Sequence, residues 1–176
     1  MCIIELDINR EISMIYDVII IGGGPAGLMA ANLFEQHHIN YVLLEKNEKP
    51  GKKLLITGGR RCNVTNRYQV NEFITHLTIP HKNFLYGTLS EFGPKEVIDF
   101  FKQRGLNLIL EDQFKYFPET GKSSSVLEVL LSNIKKERLL CRQFVKEVHQ
   151  AEFGFLIKTN QNTFQTKHVV VATGSN

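Results

Sequence analysis

Three glycines with the spacing G-x-G-x-x-G are the strongest chemical signal in the sequence. Gly22, Gly24 and Gly27 lie in the run Gly22-Gly23-Gly24-Pro25-Ala26-Gly27. Where such a run joins a strand to a helix, the first glycine permits a tight turn and the second lets backbone N–H groups approach a pyrophosphate. The third brings the helix close to the strand, and the helix N-terminus adds unpaired N–H donors. The run therefore predicts a site for a dinucleotide pyrophosphate.

An acidic residue follows at the distance where a dinucleotide ribose needs an acceptor. Glu45 lies 18 residues after Gly27, near the spacing of about 20 at which an acidic side chain hydrogen-bonds ribose hydroxyls. A carboxylate in this place disfavours the 2′-phosphate of an NADP-type adenosine. The alternative is a tight glycine turn that binds nothing. It is disfavoured because a strand, a helix and Glu45 all occur where dinucleotide binding needs them.

A second phosphate-loop pattern is incomplete. Thr120-Gly121-Lys122-Ser123 ends like G-x-x-x-x-G-K-[ST], but Tyr116 occupies the position of the first glycine. This excludes a nucleoside-triphosphatase loop. The segment predicts instead that Ser125 and Glu128 form a capping box at the start of a helix. A role for Lys122 facing a substrate or cofactor stays open.

Metal and dithiol chemistry are not indicated. The cysteines Cys2, Cys62 and Cys141 form no C-x-x-C pair, and the six histidines lack ligand spacing. We therefore predict no metal site and interpret Cys62 as a packed thiol. Unpaired cysteines suit a reducing compartment, and residues 1–15 do not have the pattern of a secretory signal. A cytoplasmic location is the expectation.

The elements that must position the glycine loop follow the order strand, helix, strand. Residues 16–21 and 41–45 have strand character and residues 25–38 have helical character, which predicts a βαβ unit with parallel strands. Residues 50–66 have the composition of a glycine-rich loop. Further helices are predicted at residues 94–104 and 125–138, and further strands at residues 106–110, 141–149, 153–159 and 169–172. The fold class is α/β: a Rossmann-like dinucleotide-binding domain with a parallel βαβ core, a helical segment at about residues 71–139 and a small antiparallel β meander.

Length and composition exclude several classes of protein. A chain of 176 residues with 43% hydrophobic and 22% charged residues can bury a core as a single domain. Its net charge of +3 is too small to indicate a nucleic-acid partner or an anionic membrane. No uninterrupted apolar run is longer than four residues, whereas a membrane span needs about 18 or more. We expect neither nucleic acid nor membrane as a partner.

Several motifs together resemble one family. They are D-V-I-I-I-G-G-G-P-A-G at residues 17–27, G-K-K-L-L-I-T-G-G at 51–59, R-C-N-V-T-N at 61–66, F-P before G-K at 117–122, and V-V-A-T-G at 170–174. From Tyr16 onward the chain resembles the BaiN-like flavoproteins, also called aminoacetone-oxidase-like or NAD(P)/FAD-dependent oxidoreductases. The T-G-G followed by R-C-N-V-T-N is the most specific part of the resemblance.

The resemblance implies an FAD-dependent oxidoreductase of glutathione-reductase-like fold, with NAD(P)H as an electron donor and a small-molecule substrate that the motifs leave open. The loop at residues 57–66 would lie beside the flavin, the backbone near Val145 would contact adenine, and residues 172–174 would pass close to FAD. No catalytic residue is implied. The cofactor-binding residues implied are Gly22, Gly23, Gly24, Pro25, Ala26, Gly27, Glu45, Lys46, Lys53, Gly58, Gly59, Arg61, Cys62, Asn63, Val145, Ala172, Thr173 and Gly174.

Members of that family are longer, with an inserted middle domain and a C-terminal segment that completes the FAD site. The resemblance thus implies that residues 16–176 are the N-terminal FAD-binding portion, with residues 1–15 as an extension, Met14 as a family-like start and the missing C-terminal part as a partner. A non-catalytic dinucleotide-binding remnant and a plain NAD-binding domain are the alternatives.

Two residues depart from the family pattern, because Arg60 and Ser175 each stand where a glycine is usual. If the glycine at position 60 serves a positive φ, arginine would strain the loop by roughly 1 to 2 kcal/mol. In the other interpretation Arg60 contacts a cofactor phosphate.

Overall fold

The computed structural model describes residues 13–174, which divide into two compact units. The first unit comprises the described parts of Met1–Lys52 and Asn133–Asn176, and the second comprises Lys53–Ser132. Met14 has a described backbone, whereas Cys2, most of the predicted N-terminal extension and Ser175 lie outside the described residues. In chain order the elements are β1 (Ser13–Ile21), α1 (Pro25–Gln36), β2 (Tyr41–Leu44), β3 (Thr65–Asn66), α2 (Val70–His76), α3 (Tyr86–Glu91), α4 (Pro94–Gln103), β4 (Leu108–Glu111), β5 (Lys115–Pro118), α5 (Ser123–Leu131), β6 (Leu139–Leu140), β7 (Val145–Ala151), β8 (Gly154–Thr159) and β9 (Thr163–Val171).

The first unit is built on a six-stranded sheet in the order β6-β2-β1-β9-β8-β7. Strands β6, β2, β1 and β9 run parallel, and β9, β8 and β7 form an antiparallel meander. Helix α1 makes the crossover between β1 and β2, as parallel neighbours require. At the centre of the sheet, Ile20 pairs with Leu43 on one side and with Val170 on the other. The predicted Rossmann-like fold, with its parallel βαβ core and its meander, is confirmed.

The central strands form because their residues are apolar on both faces of the sheet. Ile19, Ile20 and the whole of β2 are buried, and such continuous apolar runs are typical of parallel strands covered on both sides. Strand β1 begins at Ser13, three residues before the predicted start, because Ser13 and Ile15 still pair with β9. Helix α1 ends at Gln36 instead of the predicted residue 38, since His38 has a φ of 54° and leaves the helical conformation.

Arg138 connects the C-terminal end of α1 to strand β2 through hydrogen bonds and an ion pair. Its guanidinium donates to the backbone oxygens of Ile39, at 3.4 Å, and Tyr41, at 2.9 Å. It also pairs with Glu35 at 3.5 Å and lies 5.1 Å from the centre of the Tyr41 ring. Burial and the neighbouring Glu35 carboxylate raise the pKa of Tyr41 above its usual range, so its hydroxyl stays protonated and donates to Glu35 at 3.1 Å.

We predict that Arg138→Ala lowers the free energy of unfolding by about 2 to 4 kcal/mol, because it leaves two carbonyls and a half-buried carboxylate without their donor. Arg142→Ala is the matched control, because the side chain of Arg142 forms an exposed ion pair with Glu48, and such a pair contributes little to stability. Urea unfolding followed by circular dichroism measures both variants. Equal effects would contradict the role assigned to Arg138.

The second unit contains a three-stranded antiparallel sheet in the order β3-β5-β4 together with helices α2 to α5. Helix α4 begins at Pro94, as predicted, and Glu96 accepts the N–H of Gly93 at 3.0 Å. It ends at Gln103, just before Gly105, which has a φ of 81°. None of the helices within residues 13–174 is long and apolar enough to cross a membrane.

The helix predicted at residues 125–138 is the clearest correction. Helix α5 begins two residues earlier, at Ser123, whose buried hydroxyl donates to the Leu55 carbonyl at 2.9 Å. Ser125 is therefore inside the helix, and its hydroxyl accepts from Thr120 at 2.8 Å, so the predicted capping box is wrong. The helix ends at Leu131 because the chain must become extended to pair β6 with β2. This tertiary pairing overrides the helical propensity of residues 132–138.

Candidate functional site

The first glycine of the loop is required by its contact with the end of β9. The Gly22 N–H donates to the Leu44 carbonyl at 2.8 Å, and its φ is +112°. A Cβ on Gly22 would lie 2.4 Å from the Ala172 oxygen and 3.1 Å from the Thr173 Cα. The loop and the A-T-G turn therefore meet at Gly22, as the resemblance implies for residues near one cofactor.

The third glycine allows α1 to approach β1. A Cβ on Gly27 would lie 2.0 Å from the Gly22 oxygen, far inside van der Waals contact, and 3.3 Å from the Ile20 side chain. No neighbouring backbone can shift enough to admit it without separating helix from strand. The helix-packing role that the motif gives to this position agrees with the geometry.

The packing of the described residues does not explain why the middle residue of the motif, Gly24, is a glycine. Its φ of −82° and ψ of −179° are open to any residue, and a Cβ would have no heavy atom within 4 Å. Gly24 is the residue before α1, where it provides no side-chain cap, and the first turn of α1 contains no acidic residue. The first N–H groups of a helix have no partner inside the helix. Open space and unpaired donors together fit a phosphate-bearing group.

Glu45 directly follows β2 beside the glycine loop, and only 6% of its surface is exposed. One carboxylate oxygen, Oε2, accepts the Gly23 N–H at 2.7 Å. The other, Oε1, accepts the backbone N–H of Asn47 at 2.7 Å and its side-chain amide at 2.6 Å. A carboxylate has about four acceptor positions, and these donors from the described residues fill three of them. The sequence predicts the ribose contact but not the contact with Gly23.

The segment after β6 also contacts Glu45 and the turn that follows it. The Gln143 N–H donates to the Glu45 carbonyl, and the Arg142 N–H donates to the Asn47 carbonyl, both at 2.9 Å. Val145, the residue implied for adenine, starts β7 and packs against the core of the first unit. Lys46 is exposed. Sequence reasoning missed Asn47, Arg142 and Gln143 because they belong to no motif.

The remaining predicted cofactor residues form a loop in the second unit. Gly58, Gly59, Arg60 and Cys62 all have positive φ, between 54° and 72°. The loop is closed by the Cys62 N–H, which donates to the Thr57 carbonyl at 3.2 Å. Lys53 and Asn63, at either end of this loop, are exposed.

Arg61 and Cys62 have packing roles in this loop. Arg61 pairs with Glu111, and its guanidinium lies 4.7 Å from the centre of the Phe117 ring. Cys62 is buried, and burial raises the pKa of its thiol, opposed by a smaller effect of its hydrogen bond with Thr57. A protonated, buried thiol supports the interpretation of Cys62 as a packing residue.

Arg60 has a φ of 72°, in the region that favours glycine. We predict that Arg60→Gly raises the free energy of unfolding by about 1 kcal/mol, because it removes the left-handed strain of an L residue. Arg60→Ala is the control, since alanine removes the guanidinium but keeps the strain. Urea unfolding compares the three proteins. If Arg60→Ala stabilises as much as Arg60→Gly, the effect comes from charge and not from backbone conformation.

The structure thus divides the predicted cofactor residues between the two units. The first unit brings together Gly22 to Gly27, Glu45 and the A-T-G turn at the carboxyl ends of β1, β2 and β9, where parallel α/β sheets bind ligands. The second unit holds Lys53, Gly58, Gly59 and residues 61–63. Within residues 13–174, no three His, Cys, Asp or Glu side chains are grouped to hold a metal ion.

Comparison with known proteins places this arrangement in context. The family model described as "HI0933-like protein Rossmann domain" matches residues 16–176. The ribosomal RNA dihydrouridine synthase of Escherichia coli K12 is 29% identical over 162 residues, which are 90% of this chain and 39% of that protein. The 3-dehydro-bile acid delta(4,6)-reductase of Clostridium scindens is 30% identical over 159 residues, which are 88% of this chain and 38% of that protein. The chain spans less than two fifths of the length of these relatives.

Among solved structures, the 3-ketosteroid-delta4-(5alpha)-dehydrogenase of Rhodococcus jostii RHA1, in complex with 4-androstene-3,17-dione, superimposes with a TM-score of 0.70. The match covers 96% of this chain and 47% of that one at 15% identity. A likeness at this identity shows a shared fold.

Proposed function

Because the chain belongs to the HI0933-like protein Rossmann domain family, we propose that residues 16–176 are the FAD-binding portion of a flavoprotein oxidoreductase. Residues 1–15 are assigned in this proposal to an N-terminal extension, of which Ser13–Ile15 continue β1. The finer assignment to the BaiN-like flavoproteins rests on the R-C-N-V-T-N motif at residues 61–66.

The observation that carries the proposal is the open space at Gly24. Gly22 and Gly27 are needed by the protein's own packing, whereas Gly24 is glycine at a position where the described residues would accept a side chain. A bound ligand that needs this space would explain why residue 24 is a glycine. The adjacent N-terminus of α1 favours negative charge, which fits the pyrophosphate of a dinucleotide.

In this proposal, two different parts of the chain bind the pyrophosphate and the ribose of the cofactor's adenosine half. The first N–H groups of α1 would bind the pyrophosphate, and the fourth acceptor position of Glu45 would bind a ribose hydroxyl. FAD, when bound, supplies the two-electron redox chemistry, and the protein binds and orients it. We further propose NAD(P)H as the electron donor.

The names of the two relatives describe the addition of hydrogen to unsaturated substrates, a uridine in ribosomal RNA and a bile acid. We propose the same reaction class, reduction of a carbon–carbon double bond in a small molecule, for the whole protein of which this portion is part. The remainder of such a protein would complete the flavin site as the partner of this portion. The free Cys62 and Cys141 support a reducing, cytoplasmic setting.

Two alternatives are not favoured. A non-catalytic remnant has no need to keep Gly24 free of a side chain or to keep Glu45 buried beside the loop. A plain NAD-binding domain uses the same glycine loop, but it gives no reason for the T-G-G and R-C-N-V-T-N motifs, which resemble those of flavoproteins.

Titration of the purified chain tests the proposal. FAD, ADP and NADH are each added while binding is followed by calorimetry, and folding is checked by circular dichroism. FAD and ADP should both bind, since ADP carries the adenosine and pyrophosphate that the first unit would contact in this proposal. FAD should bind more tightly than NADH. A folded chain that binds neither FAD nor ADP would overturn the proposal. Preference for NADH would support the NAD-binding alternative.

A further inference from the structure

Both backbone polar groups of Gly23, the residue between the first two glycines of the motif, are held by one segment. The Gly23 N–H donates to Oε2 of Glu45 at 2.7 Å. The Gly23 carbonyl accepts the Gly51 N–H at 2.8 Å. Glu45 and Gly51 therefore hold the backbone of Gly23 on both sides, and we call these two hydrogen bonds the Gly23 clasp.

The carboxylate of the clasp is itself fixed in place. Two donors of Asn47 hold its other oxygen, at 2.7 and 2.6 Å. The Glu45 backbone donates to the Leu140 carbonyl and accepts from Gln143, both at 2.9 Å. A buried carboxylate with three N–H donors has lost most of its conformational freedom, and hydrogen bonds to an ionised acceptor are among the stronger ones in proteins.

The clasp also explains why Gly23 is a glycine. A Cβ at this position would lie 2.8 Å from Oε2 of Glu45 and 3.0 Å from the Pro50 Cβ. The G-x-G-x-x-G pattern leaves this position open to any residue. In this chain the approach of Glu45 and Pro50 excludes a side chain at position 23.

We propose that Glu45 is a positioning residue for the phosphate loop in addition to its ribose contact. The inference rests on the proposed function and deepens it. One carboxylate oxygen, Oε2, holds the Gly23 N–H and would also accept from the ribose. Rigid support of the groups that contact a ligand is what makes a site accurate. Loss of the carboxylate therefore weakens binding of the phosphates even in a ligand that lacks ribose hydroxyls.

The test compares ADP with 2′,3′-dideoxyadenosine diphosphate, which has the same phosphates and no ribose hydroxyls. In Glu45→Gln, the amide cannot accept from both Gly23 and Asn47, so we expect about a tenfold loss of affinity for the dideoxy ligand. The loss for ADP should be larger, because ADP also loses its ribose contact. Glu48→Gln is the matched control, because Glu48 is an exposed neighbour outside the clasp. Its affinities should equal those of the unmodified chain. A loss for ADP alone would overturn the proposal and leave Glu45 as a ribose ligand only.

A second measurement does not depend on any ligand. Exchange of the Gly23 amide hydrogen, followed by NMR, should be slow in the unmodified chain and at least tenfold faster in Glu45→Gln. Equal exchange in the two proteins overturns the clasp whatever the ligands do. If the unmodified chain binds neither ADP nor FAD while its Gly23 amide is protected by Glu45, the proposed function fails and the clasp stands as a structural contact only.

Gly23→Ala supplies an independent route to the same prediction. The added Cβ displaces Oε2, so this variant should reproduce the loss for the dideoxy ligand. Two changes that break the same contact are not additive. The double variant with Glu45→Gln should then lose little more affinity than either single variant, whereas fully additive losses would contradict the clasp. If Glu45→Gln does not fold, Asn47→Ala removes the side-chain donor to Oε1, keeps the backbone donor, and should weaken binding of the dideoxy ligand severalfold.

Discussion

Replacing Gly27 by alanine is expected to unfold the first unit. The added Cβ would lie 2.0 Å from the Gly22 oxygen, and both groups belong to backbone that the sheet and α1 hold in place. We expect a loss of about 3 kcal/mol or more in the free energy of unfolding, at the upper end of overpacking effects. Urea unfolding followed by circular dichroism measures it.

The sign of the change in unfolding free energy distinguishes a steric clash from an effect of helix propensity. In an exposed helix, glycine to alanine stabilises by roughly 1 kcal/mol, so propensity and packing predict opposite results for Gly27. Gly24→Ala is the matched control, because the added Cβ has no neighbour within 4 Å and the φ of Gly24 is ordinary. An unfolding free energy for Gly27→Ala equal to or above that of the unmodified chain would show that α1 does not pack on β1 as closely as described.

Gly24→Val is expected to abolish cofactor binding without unfolding the chain. A branched side chain would fill the space where the pyrophosphate must approach the N-terminus of α1. We expect the FAD affinity to fall by about 100-fold or more, which corresponds to roughly 3 kcal/mol. The cost in folding stability should stay near 1 kcal/mol, the preference of a helix N-cap for glycine over valine.

Fluorescence titration with FAD measures the loss of affinity, and a thermal melt on the same sample measures the change in folding stability. Gly24→Ala should give an intermediate affinity, because its single methyl group occupies part of the same space. Normal FAD binding by Gly24→Val would place the phosphate site elsewhere on the chain and would remove the main support for the proposed function.

The sequence predicted the parts of the fold and site that local sterics determine. The G-x-G-x-x-G spacing encodes close backbone approach, and the contacts at Gly22 and Gly27 agree with it. The runs at β1 and β2 are apolar throughout because both faces are buried, so their positions follow from composition. One of the two interpretations of Arg60 supposed a positive φ at this glycine position, and Arg60 has a φ of 72°.

Features that depend on contacts between residues far apart in the sequence could not be predicted from local patterns. The bond from Gly23 to Glu45 joins two loops, and neither residue signals the other. The end of α5 depends on where β6 must pair with β2, although residues 132–138 continue to favour a helix. Strands β3 and β5 are short and owe their conformation to one another, which leaves little periodicity for sequence reasoning to use.

The two neighbours of β1 in the sheet, β2 and β9, are far apart in the sequence, and this has a consequence for biosynthesis. Strand β2 follows β1 after a single helix, whereas β9 is made last of all the strands described. On a ribosome, β1 and β2 would emerge with the Val18–Ile21 edge still unpaired while the whole of Lys53–Ser132 is translated. Pairing at such long sequence separation is slow, and an open apolar edge invites association with other chains. The nascent chain is therefore most exposed to aggregation in the interval before β9 arrives to close the sheet.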